Sequence, residues 1–335
     1  GVPQHYGIST IGGMCTVAVT VDELNREVAR RRRKARWKNV TINWELYLLV
    51  LLPLAWIFIF RYIPMYGAQI AFRDFVPARG IWGSQWIGFD NFTRFFRSYN
   101  FENVMINTLV LTFYQLLAGF PIPIVLAIFI HYCPNAGFKR TVQMVTYAPH
   151  FISVVVMVGI IFKLLAMRNG IVNVAIEALG FDRVNFLGTP EAFPHVYVWT
   201  GIWQRMGWGT IIYLAALSGV DPELHDSAKA DGANMWRRIW HIDIPGIAPT
   251  VVILLILRTG DMLEVGFEKV LLMQNNLNLR TSEVIQTFVY KVGLASSQPD
   301  FSYASAIGLF ISVISFILLI IVNRVARRIG ETSLW

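Results

Sequence analysis

Six long apolar stretches limit the folds that are open to this chain of 335 residues. They lie at 46–63, 103–132, 141–165, 195–219, 247–268 and 304–323. Residues 103–138 and 304–323 contain no Asp, Glu, Lys or Arg. About 20 apolar residues suffice for a helix to cross a bilayer, and lipid offers no partner to an unpaired backbone group. The sequence therefore predicts an all-α, polytopic membrane protein with six transmembrane helices.

The composition of the chain supports this class. Hydrophobic residues make up 55% of the sequence and charged residues only 15%, whereas soluble domains are about 25% charged. A soluble enzyme, a disordered chain and a nucleic-acid-binding protein are therefore disfavoured. The net charge of +8 is typical of a membrane protein whose cytoplasmic loops are rich in Lys and Arg.

Residues 1–43 differ from the rest of the chain because eight Lys and Arg cluster between Arg26 and Lys38. A basic cluster just before an apolar stretch indicates a cytoplasmic anchor, with RNA binding as the alternative. Sixteen of the 29 Lys and Arg fall on one side of a six-span arrangement, in the tails and short loops. We therefore predict cytoplasmic N- and C-termini, a basic tail over 1–43 and a transmembrane domain over 44–335.

The loop 221–246 joins the fourth and fifth apolar stretches, and most of it reads DPELHDSAKADGANMWRRIWHIDIP. Asp221 can cap a helix that begins at Pro222, and Gly232 can form the turn after it. A second helix is predicted to end at Pro245. Its apolar face consists of Met235, Trp236, Ile239 and Trp240. The pattern predicts an amphipathic helix–turn–helix on the cytoplasmic face, which either lies on lipid headgroups or fits into another protein.

The spacing in this loop resembles the EAA motif of ABC-importer permeases: Glu-Ala-Ala, three residues, Gly, nine residues, Ile, one residue, Leu-Pro. Here Asp226-Ser227-Ala228 precedes Gly232 by three residues, and nine residues separate Gly232 from Ile242. Other stretches resemble the polysaccharide-type permeases of the sugar-importing branch. They are RYIPMYGAQIAF (61–72), YAPHFIS (147–153), GIVN (170–173), GWGTIIYLAALSGVDPEL (207–224) and RVARRIGETSLW (324–335). The resemblance extends over residues 44–335.

This resemblance implies a type I ABC-importer permease fold and a non-catalytic transport subunit of the bacterial cytoplasmic membrane. The residues that it assigns to ATPase coupling are Asp226, Ser227, Ala228, Asp231, Gly232, Ile242 and Pro245. It also implies a second permease subunit in a heterodimer, two ATPase subunits that carry ATP and Mg, and an extracytoplasmic solute-binding protein. The sequence contains no G-x-x-x-x-G-K-[ST] motif, so we expect no cofactor on this chain itself.

Charged and aromatic side chains within the predicted spans mark a candidate translocation path. They are Arg205, Arg258, Asp261, Trp203 and Trp208. Arg258 and Asp261 are three residues apart on one helix face, so a structural ion pair and a role in the path are both open. The arginines suit an acidic oligo- or polysaccharide such as alginate, and a neutral oligosaccharide is the alternative. An ion-driven secondary transporter is a remote alternative, and no residue cluster has the spacing of a metal site.

Overall fold

The computed structural model describes residues 25, 26, 28, 30, 42–260 and 262–329. Two compact units are present, residues 1–67 and residues 68–335. In the first unit, helix α1 (Trp44–Ile57) leads into a π-helical turn (Phe58–Tyr62) and the short helix α2 (Ile63–Met65). The side chains of α1 are exposed, as expected for an apolar helix in lipid. Most of the predicted tail 1–43 lies outside the described residues, so that domain stays a prediction.

The second unit is almost entirely helical. The first part of this unit along the chain contains a 3₁₀ helix that ends at Phe72, strand β1 (Arg73–Asp74), α3 (Gly80–Gly83), strand β2 (Gln85–Trp86) and α4 (Asp90–Phe96). The middle of the unit contains α5 (Asn100–Gly119), α6 (Pro121–Tyr132), α7 (Ala136–Tyr147), α8 (Val154–Leu165), α9 (Ile171–Ala178) and α10 (Ala192–Ser218). The remaining helices are α11 (Pro222–Ala230), α12 (Met235–Arg238), α13 (Ile244–Gly260), α14 (Phe267–Met273), α15 (Leu279–Ser282), α16 (Ile285–Tyr290) and α17 (Phe301–Ile329). The two strands pair antiparallel, with Arg73 opposite Trp86.

Several helical runs have the length and composition needed to cross a membrane. Within the described residues these are Trp44–Phe72, Asn100–Tyr132, Met235–Gly260 and Phe301–Arg328, together with one bent pair, Ala136–Phe151 and Val154–Leu165. Helix α10 has 27 residues, which is long enough to cross, but Arg205 and other polar residues make it less apolar. The all-α membrane class is confirmed, and the count of six spans stays a prediction.

The second predicted span is one helical run. Helix α6 begins at Pro121 directly after α5, and the amide of Phe120 still donates to the Leu116 carbonyl at 3.0 Å. A proline in the first turn of a helix needs no amide hydrogen, so the two helices continue as one run over Asn100–Tyr132. The prolines therefore do not end this span.

The third predicted span is not a continuous helix. Helix α7 ends at Tyr147, a 3₁₀ turn covers Ala148–Phe151, and the chain bends by 107° before α8. Pro149 lies in this turn, where its ring cannot continue the α-helical hydrogen bonds. The side chain of Ser153 then caps α8 by accepting from the Val156 amide. The apolar stretch 141–165 therefore consists of parts of two helices with a sharp bend between them, which the sequence did not predict.

Both predicted ends of the helix in the fifth span are also wrong. The helix begins at Met235, passes through a π-helical turn at Ile239–Asp243 and ends at Gly260, short of the predicted end at residue 268. Pro245 does not end the second loop helix. In a π-helical turn the amide bonds to the carbonyl five residues earlier, and here the Ile244 amide bonds to Ile239. This change in the hydrogen-bond pattern occurs directly before Pro245. Proline has no amide hydrogen, so it could not donate the ordinary helical bond.

Helix α10 lies at the centre of the second unit, where it packs against α5, α6, α7 and α13. The closest approach is at Gly207, where an added Cβ would overlap the backbone of Thr146. Tyr197, Val198 and Ile202 of α10 contribute to the largest buried apolar cluster. The glycine thus allows α7 to lie directly against α10.

Candidate functional site

The first helix of the loop 221–246 has the ends that its sequence predicts. Asp221 precedes α11, and its carboxylate accepts a hydrogen bond from the Glu223 amide at 2.9 Å. Pro222 is the first residue of the helix, where its missing amide hydrogen costs nothing. The predicted helix from residue 222 to about residue 230 is confirmed as Pro222–Ala230.

The turn after α11 depends on Gly232. Its φ angle is +76°, in the left-handed region that side-chain-bearing residues rarely adopt. The Gly232 amide donates to the Lys229 carbonyl at 3.0 Å, and the Ala233 amide donates to the Ala228 carbonyl at 2.8 Å. These two bonds form a Schellman motif, which satisfies carbonyls that the end of the helix leaves free. The loop motif therefore needs glycine at this position for its backbone angle.

Helix α11 presents a polar, accessible face. Asp226, Ser227 and Asp231 are exposed, whereas Ala228 and Ile242 are half-buried. The Asp226 carboxylate accepts a hydrogen bond from Lys229 at 2.8 Å, and this bond and the lysine charge keep the pKa of Asp226 below its ordinary value. Of the motif residues, Pro245 is exposed at the start of α13. The accessible side chains leave α11 available to a partner protein.

The second loop helix is amphipathic in part. The side chain of Asn234 caps α12 by accepting from the Arg237 amide at 2.9 Å. On the predicted apolar face, Ile239 is buried, but Trp236 and Trp240 are 58% and 65% exposed. Exposed tryptophans beside arginines are typical of a helix at a membrane surface. Both open interpretations of the loop, contact with lipid and contact with protein, thus have support, from α12 and α11 respectively.

A cavity of about 340 Å³ brings together three of the residues predicted for the translocation path. Arg205 and Trp208 line it from α10, and Arg258 lines it from α13. Trp203 lies elsewhere on α10, where its side chain is 42% exposed. Asp261 lies outside the described residues, so its pairing with Arg258 stays a prediction.

The cavity has a positive electrostatic character. Among its described lining residues, two are arginines and one, Glu264, is a carboxylate. His150 lies flat against Trp208, with ring centroids 4.5 Å apart and planes within 2° of parallel. Aromatic faces and guanidinium groups are the side chains that stack on sugar rings and bind carboxylates. The arrangement can hold a saccharide, and its charge favours an anionic one.

Sequence reasoning did not place His150 and Glu264 at this cavity. His150 reaches it because the helix breaks at Pro149, and Glu264 reaches it because α13 ends at Gly260. Pro149 was a visible signal for the first break. In the sequence, nothing distinguishes Gly260 from the glycines that lie inside other helices.

Lys269 is a buried amine that sequence reasoning missed. Its Nζ donates to the Tyr197 carbonyl and to the Thr200 hydroxyl, both at 2.9 Å, and lies 4.9 Å from the centre of the Tyr197 ring. Burial, together with the charge of Arg205, lowers the pKa of Lys269 to about 7. The lysine thus joins α14 to α10 beside Arg205.

This pKa predicts that the protein gains stability with rising pH. A lysine has a pKa of 10.5 when it is unperturbed, so between about pH 7 and 10.5 the unfolded chain binds the proton more strongly. Burial of Lys269 therefore lowers the free energy of unfolding by its full amount below pH 7. This loss of stability shrinks as the pH rises from 7 towards 10.5. We expect the melting temperature in detergent to rise between pH 7 and 9.5 by more in the wild type than in Lys269→Met. The exposed Lys163→Met is the control, and equal slopes in all three proteins would contradict the prediction.

Comparison with known proteins identifies the family. The model for "binding-protein-dependent transport system inner membrane component" matches residues 98–331. The polygalacturonan/rhamnogalacturonan transport system permease protein YteP of Bacillus subtilis is 42% identical over 306 residues, covering 91% of this chain and 95% of that protein. LplB of Bacillus subtilis is 41% identical over 290 residues, covering 87% of this chain and 91% of that protein.

A solved structure supports the same conclusion. It is a bacterial alginate ABC transporter in complex with an alginate pentasaccharide-bound periplasmic protein. One of its chains is 38% identical to this one and superposes with a TM-score of 0.82, covering 89% of this chain and 99% of that chain. The importer permease fold expected from the loop motif is thereby confirmed. The chain belongs to the family of binding-protein-dependent transport system inner membrane components.

Proposed function

We propose that the chain is the permease subunit of an ATP-driven importer for acidic oligo- or polysaccharides. It pairs with a second permease, two ATPase subunits bind the cytoplasmic side, and a solute-binding protein delivers the saccharide from outside. ATP and Mg are bound by the ATPase subunits, and this chain carries out no chemistry. The N- and C-termini are cytoplasmic in this arrangement, and the basic tail 1–43 lies near anionic lipid headgroups.

The observation that carries this proposal is the pair of arginines, Arg205 and Arg258, in one cavity of an apolar chain. Each arginine inside a membrane is costly, so its retention indicates a structural or functional need. A uronate residue offers one carboxylate for a guanidinium group and one ring face for an aromatic side chain. The relatives named for polygalacturonan/rhamnogalacturonan transport and for alginate point to the same substrate class.

The loop 221–246 supplies the coupling in the proposed mechanism. Helix α11 fits into a cleft of one ATPase subunit through the exposed Asp226, Ser227 and Asp231. ATP binds the closed ATPase dimer more tightly than the open one, so it shifts the permeases from the inward-open to the outward-open state. The Schellman turn at Gly232 and the cap at Asp221 keep α11 rigid enough to follow the ATPase.

A neutral oligosaccharide is the second candidate substrate. Glu264 lines the same cavity and offsets part of the arginine charge. The arabinooligosaccharides transport system permease protein AraP of Bacillus subtilis is 27% identical over 246 residues, covering 73% of this chain and 76% of that protein. The sequence identity to YteP (42%) and to the alginate transporter chain (38%) is higher than that to AraP, which favours the acidic substrate.

Substrate charge can be tested by uptake into proteoliposomes that contain the whole importer. We expect uptake of a galacturonate oligosaccharide to exceed that of an arabinose oligosaccharide. Arg258→Gln and Arg205→Gln should each lower galacturonate uptake about tenfold or more, because each removes a charged hydrogen bond. The exposed Arg97→Gln should have no effect. The proposal of an acidic substrate would be contradicted if the wild type took up only the arabinose oligosaccharide. It would also be contradicted if the two arginine variants lost uptake of both oligosaccharides equally.

A further inference from the structure

Asp243 is a carboxylate that the coupling loop buries completely. It is the last residue of the π-helical turn Ile239–Asp243, directly before α13. Burying a carboxylate costs free energy unless charged or polar groups compensate for it. The side chains around Asp243 therefore show what the protein gains from placing it there.

The first partner of Asp243 lies at the end of the second span. The Tyr132 hydroxyl, on the last residue of α6, donates to Asp243 Oδ2 at 2.6 Å. The guanidinium of Arg238 lies 5.5 Å from the centre of the Tyr132 ring. This hydrogen bond joins the π-helical turn to the end of α6.

The second partner lies on α11. His225 Nε2 is 3.3 Å from Asp243 Oδ1, and the His225 side chain is only 14% exposed. Within the described residues neither of these two atoms has an aligned hydrogen bond, so the contact is a close approach of imidazole and carboxylate without hydrogen-bond geometry. His225 directly precedes Asp226 of the loop motif, but it is turned inwards whereas Asp226 is exposed. One carboxylate thus contacts both α11 and α6.

The other charged groups near this contact do not replace His225. His131 of α6 lies close enough to Asp243, His225 and Lys139 to feel their charges. Within the described residues His131 forms neither an ion pair nor a hydrogen bond with the carboxylate, whereas His225 lies 3.3 Å from it. The 3.3 Å approach of His225 Nε2 to Asp243 Oδ1 is therefore the contact that links Asp243 to the motif helix.

We infer that Asp243 is a positioning residue: through His225 and Tyr132 it fixes α11 to the end of α6, so that movement of α11 is passed on to the membrane helices. This inference rests on the proposed coupling function. The turn at Gly232 holds α11 only at its C-terminal end. The buried Asp243 carboxylate, in contact with two helices, opposes their separation, because it would otherwise be left in the interior without its partners.

The test uses the whole importer in proteoliposomes, with a galacturonate oligosaccharide delivered by the binding protein. We expect His225→Asn and Asp243→Asn each to lower transport per ATP hydrolysed about tenfold, as for other coupled pairs. The amount of ATPase that co-purifies should stay within about twofold of wild type, since the exposed motif face is unchanged. His241→Asn is the matched control, because His241 is an exposed histidine of the same loop.

Two further variants separate positioning from a general loss of stability. His225→Lys provides an ammonium group that can pair with the Asp243 carboxylate, and it should recover most of the coupling that His225→Asn loses. The double variant His225→Asn/Asp243→Asn should lose little more than either single variant, because the same contact is missing in all three. The inference would be overturned if His225→Lys did not recover transport per ATP hydrolysed. It would also be overturned if the fold-loss in the double variant equalled the product of the two single fold-losses.

Amide hydrogen exchange gives a readout that needs no substrate. In the purified importer, exchange within residues 222–230 should be about tenfold faster in His225→Asn than in wild type and near wild type in His225→Lys. Unchanged exchange in His225→Asn would overturn the positioning role. Failure of the wild-type chain to bind an ATPase, with exchange as expected, would instead contradict the proposed function and leave the positioning role supported.

Discussion

Replacing Gly207 with alanine is expected to destabilise the protein strongly, although the same change stabilises most helices. Alanine is favoured over glycine in a helix interior by about 1 kcal/mol. At Gly207, however, the added methyl group would overlap the backbone of Thr146 in α7. Backbone atoms cannot move aside as a flexible side chain can, so α7 and α10 must separate. Overpacking of this kind costs about 1–3 kcal/mol or more.

The expected result is a lower melting temperature and a smaller folded fraction of Gly207→Ala in detergent, measured by thermal denaturation and size-exclusion chromatography. Gly159→Ala in α8 is the matched control, because no atom lies within 4 Å of its added Cβ. We expect this control to melt at or above the wild-type temperature. If Gly207→Ala were as stable as Gly159→Ala, the close packing of α7 on α10 would be disproved.

Replacing Gly232 with valine is expected to uncouple ATP hydrolysis from transport. There is space for a side chain, because no atom lies within 4 Å of an added Cβ. The backbone angle is the obstacle: at φ +76° a residue with a Cβ costs about 1–2 kcal/mol, and a β-branched one is a clear outlier. Relief of this strain breaks the bond from Ala233 to Ala228 and changes the orientation of α11.

For this variant, transport and substrate-stimulated ATP hydrolysis are measured in reconstituted importer. We expect both to fall about tenfold in Gly232→Val, the factor that corresponds to about 1.4 kcal/mol. Gly232→Asn is the control, since asparagine adopts left-handed angles at moderate cost, and it should retain most of the activity. Normal transport and stimulated hydrolysis in the valine variant would show that the turn is not needed for coupling.

The first helix of the loop was predictable from sequence because its determinants are local. Asp221, Pro222 and Gly232 each act on backbone groups within a few residues, so the cap, start and turn follow from residue type. The membrane class was predictable in the same way, from apolar stretches that exceed the thickness of a bilayer. The motif spacing led to the family, and the relatives confirm it.

The errors occurred where non-local packing decides the backbone. Pro245 reads as a helix end, but the π-helical turn before it allows the helix to continue, and the sequence has no simple signature for such a turn. The break at Pro149 and the end of α13 at Gly260 were missed because prolines and glycines are also tolerated within membrane helices. For this reason the sequence predicted Arg205 and Arg258 as path residues but did not predict that His150 and Glu264 line the same cavity.

Because of the π-helical turn, one continuous helical run extends from the loop 221–246 to the cavity. Because the helix does not stop at Pro245, Met235–Gly260 is a single run of 26 residues. Asp243 near one end and Arg258 near the other are separated by about 22 Å along the axis, at about 1.5 Å per residue. A rigid tilt of about 10° about the Asp243 end would displace Arg258 by about 4 Å, more than the length of a hydrogen bond. A small tilt at the Asp243 end is thus enough to move the Arg258 guanidinium group out of hydrogen-bond range of whatever it contacts in the cavity, without local unfolding of either end.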